Sequence, residues 1–408
     1  MKKRILTILL CLGLVFGLVG CSNNDKKEEP QKDILKSSNE EILKSAKGTT
    51  VNFYGYGGNE VMNKWFDSYV IPKMKEDYDI TVKRVGMDIE NILNKLLSEK
   101  QAGNAKGTID VVWINGENFK TAKENKLLFG PFVEKLSNYE KYVDSSSEDI
   151  TTDFGVKVEG MEAPWGKSQF AVVTDTSKIN TKITDAKTLK KVIVSNPGKF
   201  TYPAPPDFTG SAFVRNIIYD VVGYDKVKNL PEDEAKVKQV IQPAMEYLKE
   251  IKPYLWNKGK TYPATSSQLD NMYSDNETYF TMTYAPNVLL GRIESGEFSK
   301  STKAIEFEKG NISNTHFVAI PDNSQNKEGA IALIDFLMSI DAQSSKTETK
   351  NWGDTSVLDM KKIPGEDVKK FSETIVLKNS VPELKAGIVP IIEKIWTQEV
   401  LESEKQNN

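Results

Sequence analysis

Strand-like and helix-like apolar patterns alternate along this chain, and the alternation limits the folds that it can adopt. In the first third, the alternating runs are residues 49–55, 61–78, 80–86, 89–101 and 109–115. Strands that alternate with helices of about ten residues or more indicate βαβ units and a mostly parallel sheet. The pattern therefore predicts an α/β fold.

A second series of runs follows, and together the two series are too long for one core. Its predicted strands are residues 167–175, 199–205, 277–287 and 315–322. Its predicted helices are residues 185–196 with Asp185 as cap, 210–223, a long run interrupted by Pro243, 327–340, and most of the C-terminus. Because 408 residues exceed one ordinary hydrophobic core, we expect two lobes, each with a mostly parallel sheet flanked by helices.

The N-terminus has the pattern of a secretory signal segment. Lys2, Lys3 and Arg4 precede an apolar run that ends at Cys21. The stretch LVGC, residues 18–21, resembles the lipobox of bacterial lipoproteins, and the polar run after it suits a flexible tether. We therefore expect residues 1–20 to be a signal peptide and the lipid on Cys21, such as palmitate, to anchor the chain at the extracellular or periplasmic face of the cell membrane. An ordinary export signal is the alternative.

Cysteine and histidine are scarce, which removes several classes of chemistry. The 2 cysteines are Cys11, inside the predicted signal, and Cys21, so the mature chain has no disulfide, thiolate zinc site or cysteine nucleophile. The 1 histidine, His316, lies in a strand-like run, where packing or exposure is expected rather than catalysis. A net charge of -3 predicts no basic patch for nucleic acid. We expect no cofactor and no metal.

The loops at the predicted strand ends concentrate aromatic and polar side chains. In open α/β sheets, ligands bind beyond the carboxyl ends of the strands. The stretch DVVWINGENF, residues 110–119, ends a buried strand with an indole, two amides, a glycine and a carboxylate. The candidate ligand-binding residues from these loops are Tyr54, Tyr56, Gly57, Trp113, Asn115, Glu117, Asn118, Trp165, Asp207, Thr209, Ser211, Tyr284, Asn287, Trp352 and Asp354. Aromatic faces beside carboxylates attract cations, so the pattern favours an organic cation.

Each loop alone also has a structural interpretation. The run YGYGG, residues 54–58, lacks the spacing of phosphate-binding loops, and its glycines suit a turn or a close ligand approach. Trp165 and Trp352 suit packing in a core as well as a binding site. The residues with an alternative role as helix caps are Asn115, Glu117, Thr209 and Ser211.

Several stretches together resemble the family 1 extracellular solute-binding proteins of ABC importers. They are the lipobox, the strand leading to YGYGG, and the runs DVVWINGENF, PWGKSQFAVVTD and FTYPAPPDFTGSAFVRN. The resemblance extends from about residue 48 to the end and is closest to a branch described as the binding component of an ABC-type transport system. It implies a hinged two-lobe clamp that captures a solute and delivers it to a membrane permease, as a monomer and without turnover.

The resemblance also implies approximate lobe bounds and a group of candidate solutes. Lobe 1 is expected at residues 48–166 and 285–345, lobe 2 at 167–284 and 346–408, and the lipidated tether at 21–47. The wider group binds thiamine, polyamines, iron and sugars. Tyr202 and Tyr284 form no adjacent tyrosine pair, which lowers the expectation of ferric iron. Aromatic rings suit sugars too, but the added acids favour a thiamine-like cation.

Two other functions stay open at this point. A carboxylate-based secreted glycosidase needs two acids about 5–10 Å apart. The acids considered for that role are Asp88, Glu117, Asp207 and Asp354. A surface adhesin or sensor built on the same clamp is the other alternative, because a fold does not fix a function.

Overall fold

The computed structural model describes residues 34–372 and 374–402. The predicted signal segment, Cys21 and the first part of the predicted tether lie outside this range. Residues 34–47, predicted as tether, instead contain a 3-10 turn, Ile34–Lys36, and a helix, Asn39–Ala46. Ser38 caps this helix and Ile42 is buried on it, so the folded part of the chain begins before residue 48.

The strands are numbered in chain order. They are β1 Thr50–Gly55, β2 Thr81–Gly86, β3 Val111–Ile114, β4 Thr152–Asp153, β5 Val156–Lys157, β6 Glu162–Gln169, β7 Ala171–Asp175, β8 Phe280–Thr283, β9 Thr302–Ala304, β10 Asn311–Ala319 and β11 Ser380–Pro382.

The helices are numbered in the same way. They are α1 Asn39–Ala46, α2 Glu60–Trp65, α3 Ile71–Tyr78, α4 Ile89–Gln101, α5 Gly116–Glu124, α6 Ser137–Tyr142, α7 Glu148–Thr151, α8 Ala186–Ser195, α9 Phe208–Val221, α10 Tyr224–Val227, α11 Glu234–Ile251, α12 Ser266–Ser274, α13 Val288–Glu294, α14 Lys327–Leu337, α15 Ile340–Thr347, α16 Gly365–Val368 and α17 Val389–Trp396. A π-helical turn, Phe66–Val70, joins α2 to α3, and a second, Thr397–Leu401, extends α17.

The larger sheet is mixed in strand direction. Its order is β11-β10-β3-β1-β2, and β6 also pairs with β10. β1 is parallel to β2 and β3, as βαβ units require, whereas β10 is antiparallel to β3 and β6. The carboxyl ends of β1, β2 and β3 therefore share one edge, and the loops after Gly55, Gly86 and Ile114 leave from it.

The smaller sheet, β8-β7-β9, is antiparallel throughout. β7 follows β6 after the single residue Phe170, so the chain passes directly from one sheet to the other. The α/β class is confirmed, but the second sheet differs from the mostly parallel sheet that the alternation predicts. The segment between β7 and β8 is helical. β8 then pairs with β7 in the antiparallel direction, so the connection is not the crossover of a βαβ unit.

Two large hydrophobic cores lie against these sheets. The first core, around the larger sheet, contains Phe53, Phe66 and Trp165 and the buried face of α14. The second core contains residues of β7 and β8 and the buried faces of α8, α9, α11 and α17. Each core is large enough to support one lobe, as the length of the chain predicts.

Most elements predicted from periodicity are confirmed, and two expectations are wrong. Residues 199–205 form no strand, because prolines at 203 and 205 lack the N–H that a strand ladder needs. Pro243 does not interrupt its helix, since α11 runs through it from Glu234 to Ile251. The carbonyl of Gln239, four residues earlier, lies on an exposed turn where water can replace the lost donor.

The hydrophobic cores do not change over at the lobe bound predicted at residue 345. Trp352, Val357 and Leu358, predicted in lobe 2, pack in the first core. The chain reaches the second core only later, where Ile392 and Ile395 of α17 are buried. All the lobe bounds stay a prediction.

Candidate functional site

The loop between β3 and α5 is held from behind by a buried carboxyl group. Gly116 has φ +60°, and its amide donates to Oδ2 of Asp153 at 2.5 Å. A Cβ at this position would lie 3.1 Å from the ring of Phe154, so both the conformation and the tight space favour glycine. Burial raises the pKa of Asp153 well above its usual value. This support fixes the direction of the next residue, Glu117.

Asn115 lies at the start of α5 but does not cap it. Its side chain makes no hydrogen bond to the first turn, and its Nδ2 donates to the carbonyl of Thr315 at 2.7 Å. Its Oδ1 accepts from Nε1 of Trp113 at 3.0 Å. The amide therefore joins the loop to β10 and fixes the indole of Trp113, which is half-buried.

Glu117 has a buried carboxyl group that is only partly satisfied. Oε1 accepts from Nδ2 of Asn118 at 3.2 Å, while Oε2 is inaccessible to water and has no hydrogen-bond partner among the described residues. Burial raises the pKa of Glu117 to about 7, the charge of Arg215 opposes this, and the charges of Glu393 and Glu383 add to it. An unpartnered buried oxygen costs about 1–3 kcal/mol, which a donor on a ligand would recover.

The second core presents the start of α9 to this loop. Asp207 caps α9, since its Oδ1 accepts from the amide of Gly210 at 2.9 Å. The predicted caps Thr209 and Ser211 are thus wrong, and both are buried in the first turn. Oγ of Ser211 donates to Oε1 of Glu393 at 2.5 Å, and burial raises the pKa of Glu393.

A buried ion pair lies one turn further along α9. Nε and Nη2 of Arg215 donate to the two carboxylate oxygens of Glu383 at 2.8 and 2.9 Å, and Nη1 donates to Oγ of Ser211 at 2.6 Å. The hydroxyl of Tyr284 donates to the same carboxylate at 2.8 Å. Glu117, Ser211, Arg215, Glu383 and Glu393 are hereafter the acidic cluster.

Aromatic rings surround the acidic cluster. Phe208, which is 38% exposed, packs at 4.9 Å from Tyr284 and 6.3 Å from Phe154 between ring centroids. The guanidinium carbon of Arg215 lies 5.8 Å from the ring of Phe154. Tyr56, which is 40% exposed, comes from the loop after β1. The combination of acids and partly exposed rings suits an organic cation.

Loops from the two cores meet around the acidic cluster. Oγ of Ser267 donates to the carbonyl of Gly58 at 3.3 Å, and the amide of Ala386 donates to the carbonyl of Phe154 at 2.9 Å. Nζ of Lys120 on α5 lies 2.7 Å from Oε1 of Glu232. The two cores are therefore in contact through these loops.

Four predicted site residues are buried in this structure, and their place in a ligand site stays a prediction. Trp165 and Trp352 are buried and pack at 4.8 Å from each other. Asp354 is buried in an ion pair of 2.8 Å with Lys346. Asn287 is buried, and its Oδ1 accepts from the amide of residue 375. In this structure, these four side chains pack inside the protein.

Two further predicted residues have structural settings of their own. Tyr54 is half-buried against the hydrophobic cluster of α4, β3 and α5. At Gly57, a Cβ would lie 3.0 Å from Cα of Gly86, so glycine allows the first two strand-end loops to approach closely. His316 is packed, as expected, with its ring 5.7 Å from that of Trp352 and 5.1 Å from that of Trp113.

Sequence reasoning missed Arg215, Glu383 and Glu393. Arg215 meets Glu383 across 168 residues and Ser211 meets Glu393 across 182, so no local spacing marks the pairs. The presence of an arginine on the strongly apolar helix α9 was the available signal, because a buried arginine requires a carboxylate partner. The described residues contain no group of three or more His, Cys, Asp or Glu side chains arranged to hold a metal ion. Within the same part of the chain, no helix is long and apolar enough to cross a membrane.

Known proteins resemble this chain in both sequence and fold. Residues 70–360 match the family described as bacterial extracellular solute-binding protein. Protein YnjB of Escherichia coli strain K12 is 34% identical over 363 residues, which cover 88% of this chain and 92% of YnjB. This match extends over both cores.

The solved structures confirm the fold. A putative spermidine/putrescine ABC transporter from Listeria monocytogenes has a TM-score of 0.62 at 15% identity, covering 88% of this chain and 99% of its own. A periplasmic thiamin binding protein has a TM-score of 0.60 at 16% identity, covering 86% and 96%. These are two-lobe periplasmic binding proteins. The chain belongs to the family of bacterial extracellular solute-binding proteins.

Proposed function

We propose that this protein is the solute receptor of an ABC importer and that it captures a small organic cation, such as a thiamine-like compound. The solute lies between the two lobes and passes from there to the membrane permease. The protein acts as a monomer and catalyses no reaction.

The observation that carries the proposal is the carboxyl group of Glu117. It is buried, and one of its oxygens has no hydrogen-bond partner among the described residues. Glu393 adds a second acid from the other core, and its charge acts on Glu117. Since Arg215 is neutralised by Glu383, the charge left over in the acidic cluster is negative. A cation with an N–H donor satisfies both the charge and the open oxygen.

Two of the neighbouring folds agree with this class of solute, whereas others are named as binders of fructose-6-phosphate and ferric ion. Two of the solved relatives are described as a spermidine/putrescine transporter and a thiamin binding protein, both of which handle organic cations. The partly exposed ring of Phe208, packed on Tyr284, provides an aromatic face near the acids. Thiamine combines a planar aromatic system with a permanent positive charge, so it matches both features.

Two of the four acids considered for glycoside hydrolysis have other roles. Asp207 caps α9, and Asp354 is buried in its pair with Lys346. Such groups are not free to act as a general acid or a nucleophile. This favours binding without turnover.

The test is native mass spectrometry of the processed protein, purified without refolding, followed by calorimetric titration with thiamine and spermidine. We expect a bound organic cation or saturable binding of one of the two probes. The Glu117→Gln variant should bind at least about tenfold more weakly, as the loss of a charge-assisted hydrogen bond predicts. Binding of neutral sugars alone, with no effect of this substitution, would contradict the proposal.

We also propose that lipid on Cys21 anchors the protein at the outer face of the membrane. The stretch LVGC and the charged N-terminus support this. Radiolabelled palmitate should be incorporated into the wild-type protein and not into a Cys21→Ser variant. Equal labelling of the two would show that the lipid is elsewhere.

A further inference from the structure

Arg215 projects from the middle of α9 and has all three of its nitrogens engaged. Nε and Nη2 bind the two oxygens of Glu383 at 2.8 and 2.9 Å, and Nη1 binds Ser211 at 2.6 Å. The side chains of Arg215 and Glu383 are 1% and 3% exposed. Burial opposes the charge of Arg215, but the charge of Glu383 holds the pKa of Arg215 above its usual value.

The two-pronged contact has the geometry with which arginine recognises a free carboxylate. Here the carboxylate belongs to the chain itself. Glu383 directly follows β11, whose pairing with β10 fixes the backbone on one side. Tyr284 donates to the same carboxylate at 2.8 Å, so the anion has the set of donors that a bound ligand would find.

The charge of Arg215 also affects the ionisation of Glu117. This charge lowers the pKa of Glu117, whereas the charges of Glu383 and Glu393 raise it. Two buried lysines of the described residues are engaged elsewhere: Lys346 with Asp354, and Lys252 with the carbonyl of Val400. Because Glu383 cancels Arg215, the acids Glu117 and Glu393 determine the remaining charge of the acidic cluster.

We propose that Glu383 is a specificity-determining residue, which occupies a latent anion site on Arg215 and so makes the cleft select cations rather than carboxylates. The proposal rests on the proposed function, since it explains the charge preference stated there. It assigns no contact between Glu383 and the solute. Glu383 acts through Arg215.

The first test is rescue of a Glu383→Ala variant by formate. This substitution leaves a carboxylate-sized space beside the guanidinium of Arg215. We expect formate to raise the Tm of E383A by several degrees in a saturable manner, with no such rise from chloride at equal ionic strength. A matched control is Glu232→Ala, which removes the carboxylate of an ion pair, Lys120–Glu232, whose glutamate is 48% exposed. Formate should leave the Tm of E232A unchanged. Equal responses of E383A and E232A would overturn the proposal.

The second test compares binding of thiamine to three forms of the protein. E383A, without formate, should bind at least about tenfold more weakly than wild type, because an uncompensated buried positive charge now opposes the cation. The double variant R215M/E383L has lost both charges, so it should bind more tightly than E383A and recover most of the lost affinity. A double variant as weak as E383A would show that the pair shapes the site rather than setting its charge preference. If E383A folds too poorly to be titrated, the double variant, which lacks the unpaired charge, is compared with wild type alone.

The outcomes for the two proposals are distinguishable. If the wild-type protein binds neither thiamine nor spermidine, the proposed function fails, but formate rescue of E383A still reports on the latent anion site. If wild type binds a cation and E383A shows neither formate rescue nor weaker binding, the role of Glu383 fails alone.

Discussion

Lys346 and Asp354 form an ion pair of 2.8 Å between side chains without exposed surface. The same ammonium donates to the carbonyls of Trp165 and Thr355 at 2.7 and 2.9 Å. The pair therefore joins the end of α15 to β6 and to the segment that follows Trp352. The sequence pattern predicts Asp354 as a ligand-binding residue. In the structure, its side chain is buried next to the first core.

Removing one partner of this pair should destabilise the protein. Asp354→Leu leaves a buried ammonium ion without its counter-charge, so we expect the free energy of unfolding to fall by about 3–5 kcal/mol. The double variant K346M/D354L should recover most of the loss. Urea denaturation followed by tryptophan fluorescence measures both.

A control for the buried pair is the exposed pair Lys369–Glu366, with side chains 72% and 88% exposed. Glu366→Ala should change the free energy of unfolding by no more than about 0.5 kcal/mol. Loss of thiamine affinity in K346M/D354L at unchanged stability would show that Asp354 serves the site after all.

The affinity for a permanently charged cation should rise with pH. The pKa of Glu117 is about 7, so at lower pH most molecules carry a neutral carboxyl group at the site. If only the ionised form binds, the apparent Kd increases about tenfold for each pH unit below the pKa. Calorimetric titration with thiamine at several pH values between about 5 and 8, a range that includes this pKa, should show the trend. The Glu117→Gln variant should show a flatter profile, and identical profiles would contradict the role of Glu117.

The contribution of Glu117 to the stability of the ligand-free protein should have the opposite pH dependence, because it should fall as the pH rises. A carboxyl group whose folded pKa is raised contributes stability that is present below its unfolded pKa and lost as pH rises toward the folded value. For Glu117 that loss falls between its ordinary value of 4.5 and about 7. Across this window, Glu117→Gln should become progressively more stable relative to wild type, as measured by Tm. A constant difference would show that the carboxyl group titrates normally.

Gly116→Ala tests the support of the loop after β3. Gly116 has φ +60°, and an added Cβ would meet the ring of Phe154 at 3.1 Å. Gly48→Ala is the matched control, because Gly48 has φ +76° and no atom within 4 Å of the added Cβ. G48A should cost about 1–2 kcal/mol from backbone strain alone. G116A should cost about 1–3 kcal/mol more from crowding and also weaken thiamine binding. Equal costs would mean that the ring of Phe154 moves freely.

Trp113 and Trp352 should respond differently to truncation. Trp352 is 2% exposed, so Trp352→Ala should lower the free energy of unfolding by about 3–5 kcal/mol. Trp113 is half-buried at the end of β3, and Trp113→Ala should weaken cation binding by about 0.5–2 kcal/mol. Unchanged affinity in W113A, with the fold intact, would place this indole among the packing residues.

Local sequence pattern predicts the fold well where neighbouring residues decide the structure. The helix Ile89–Gln101 and the strands after residues 50 and 80 follow from periodicity, and Asp185 caps α8 as its position suggests. The antiparallel second sheet was not predictable in this way, because β7 pairs with strands more than 100 residues later. Strand direction is set there by the path of a whole helical layer.

Only the part of the site that comes from a single segment of the sequence was predictable. Glu117 and Trp113 are found because a buried strand runs straight into them. Glu383 and Glu393 lie in a region whose pattern gives no sign of a partner on α9, and their roles depend on contacts over more than 160 residues. Conversely, Trp165, Trp352 and Asp354 have the composition of a binding site but are buried, and composition does not report burial.

The packing of His316 between two indoles offers a direct readout of the site. It is the 1 histidine of the chain, and its ring lies stacked at 5.7 Å on Trp352 and edge-on at 5.1 Å to Trp113. Its imidazole protons therefore give a single pair of NMR signals, displaced by the ring currents of both tryptophans. A solute that reorients Trp113 will shift those signals, so occupancy can be followed in the unlabelled, unmodified protein.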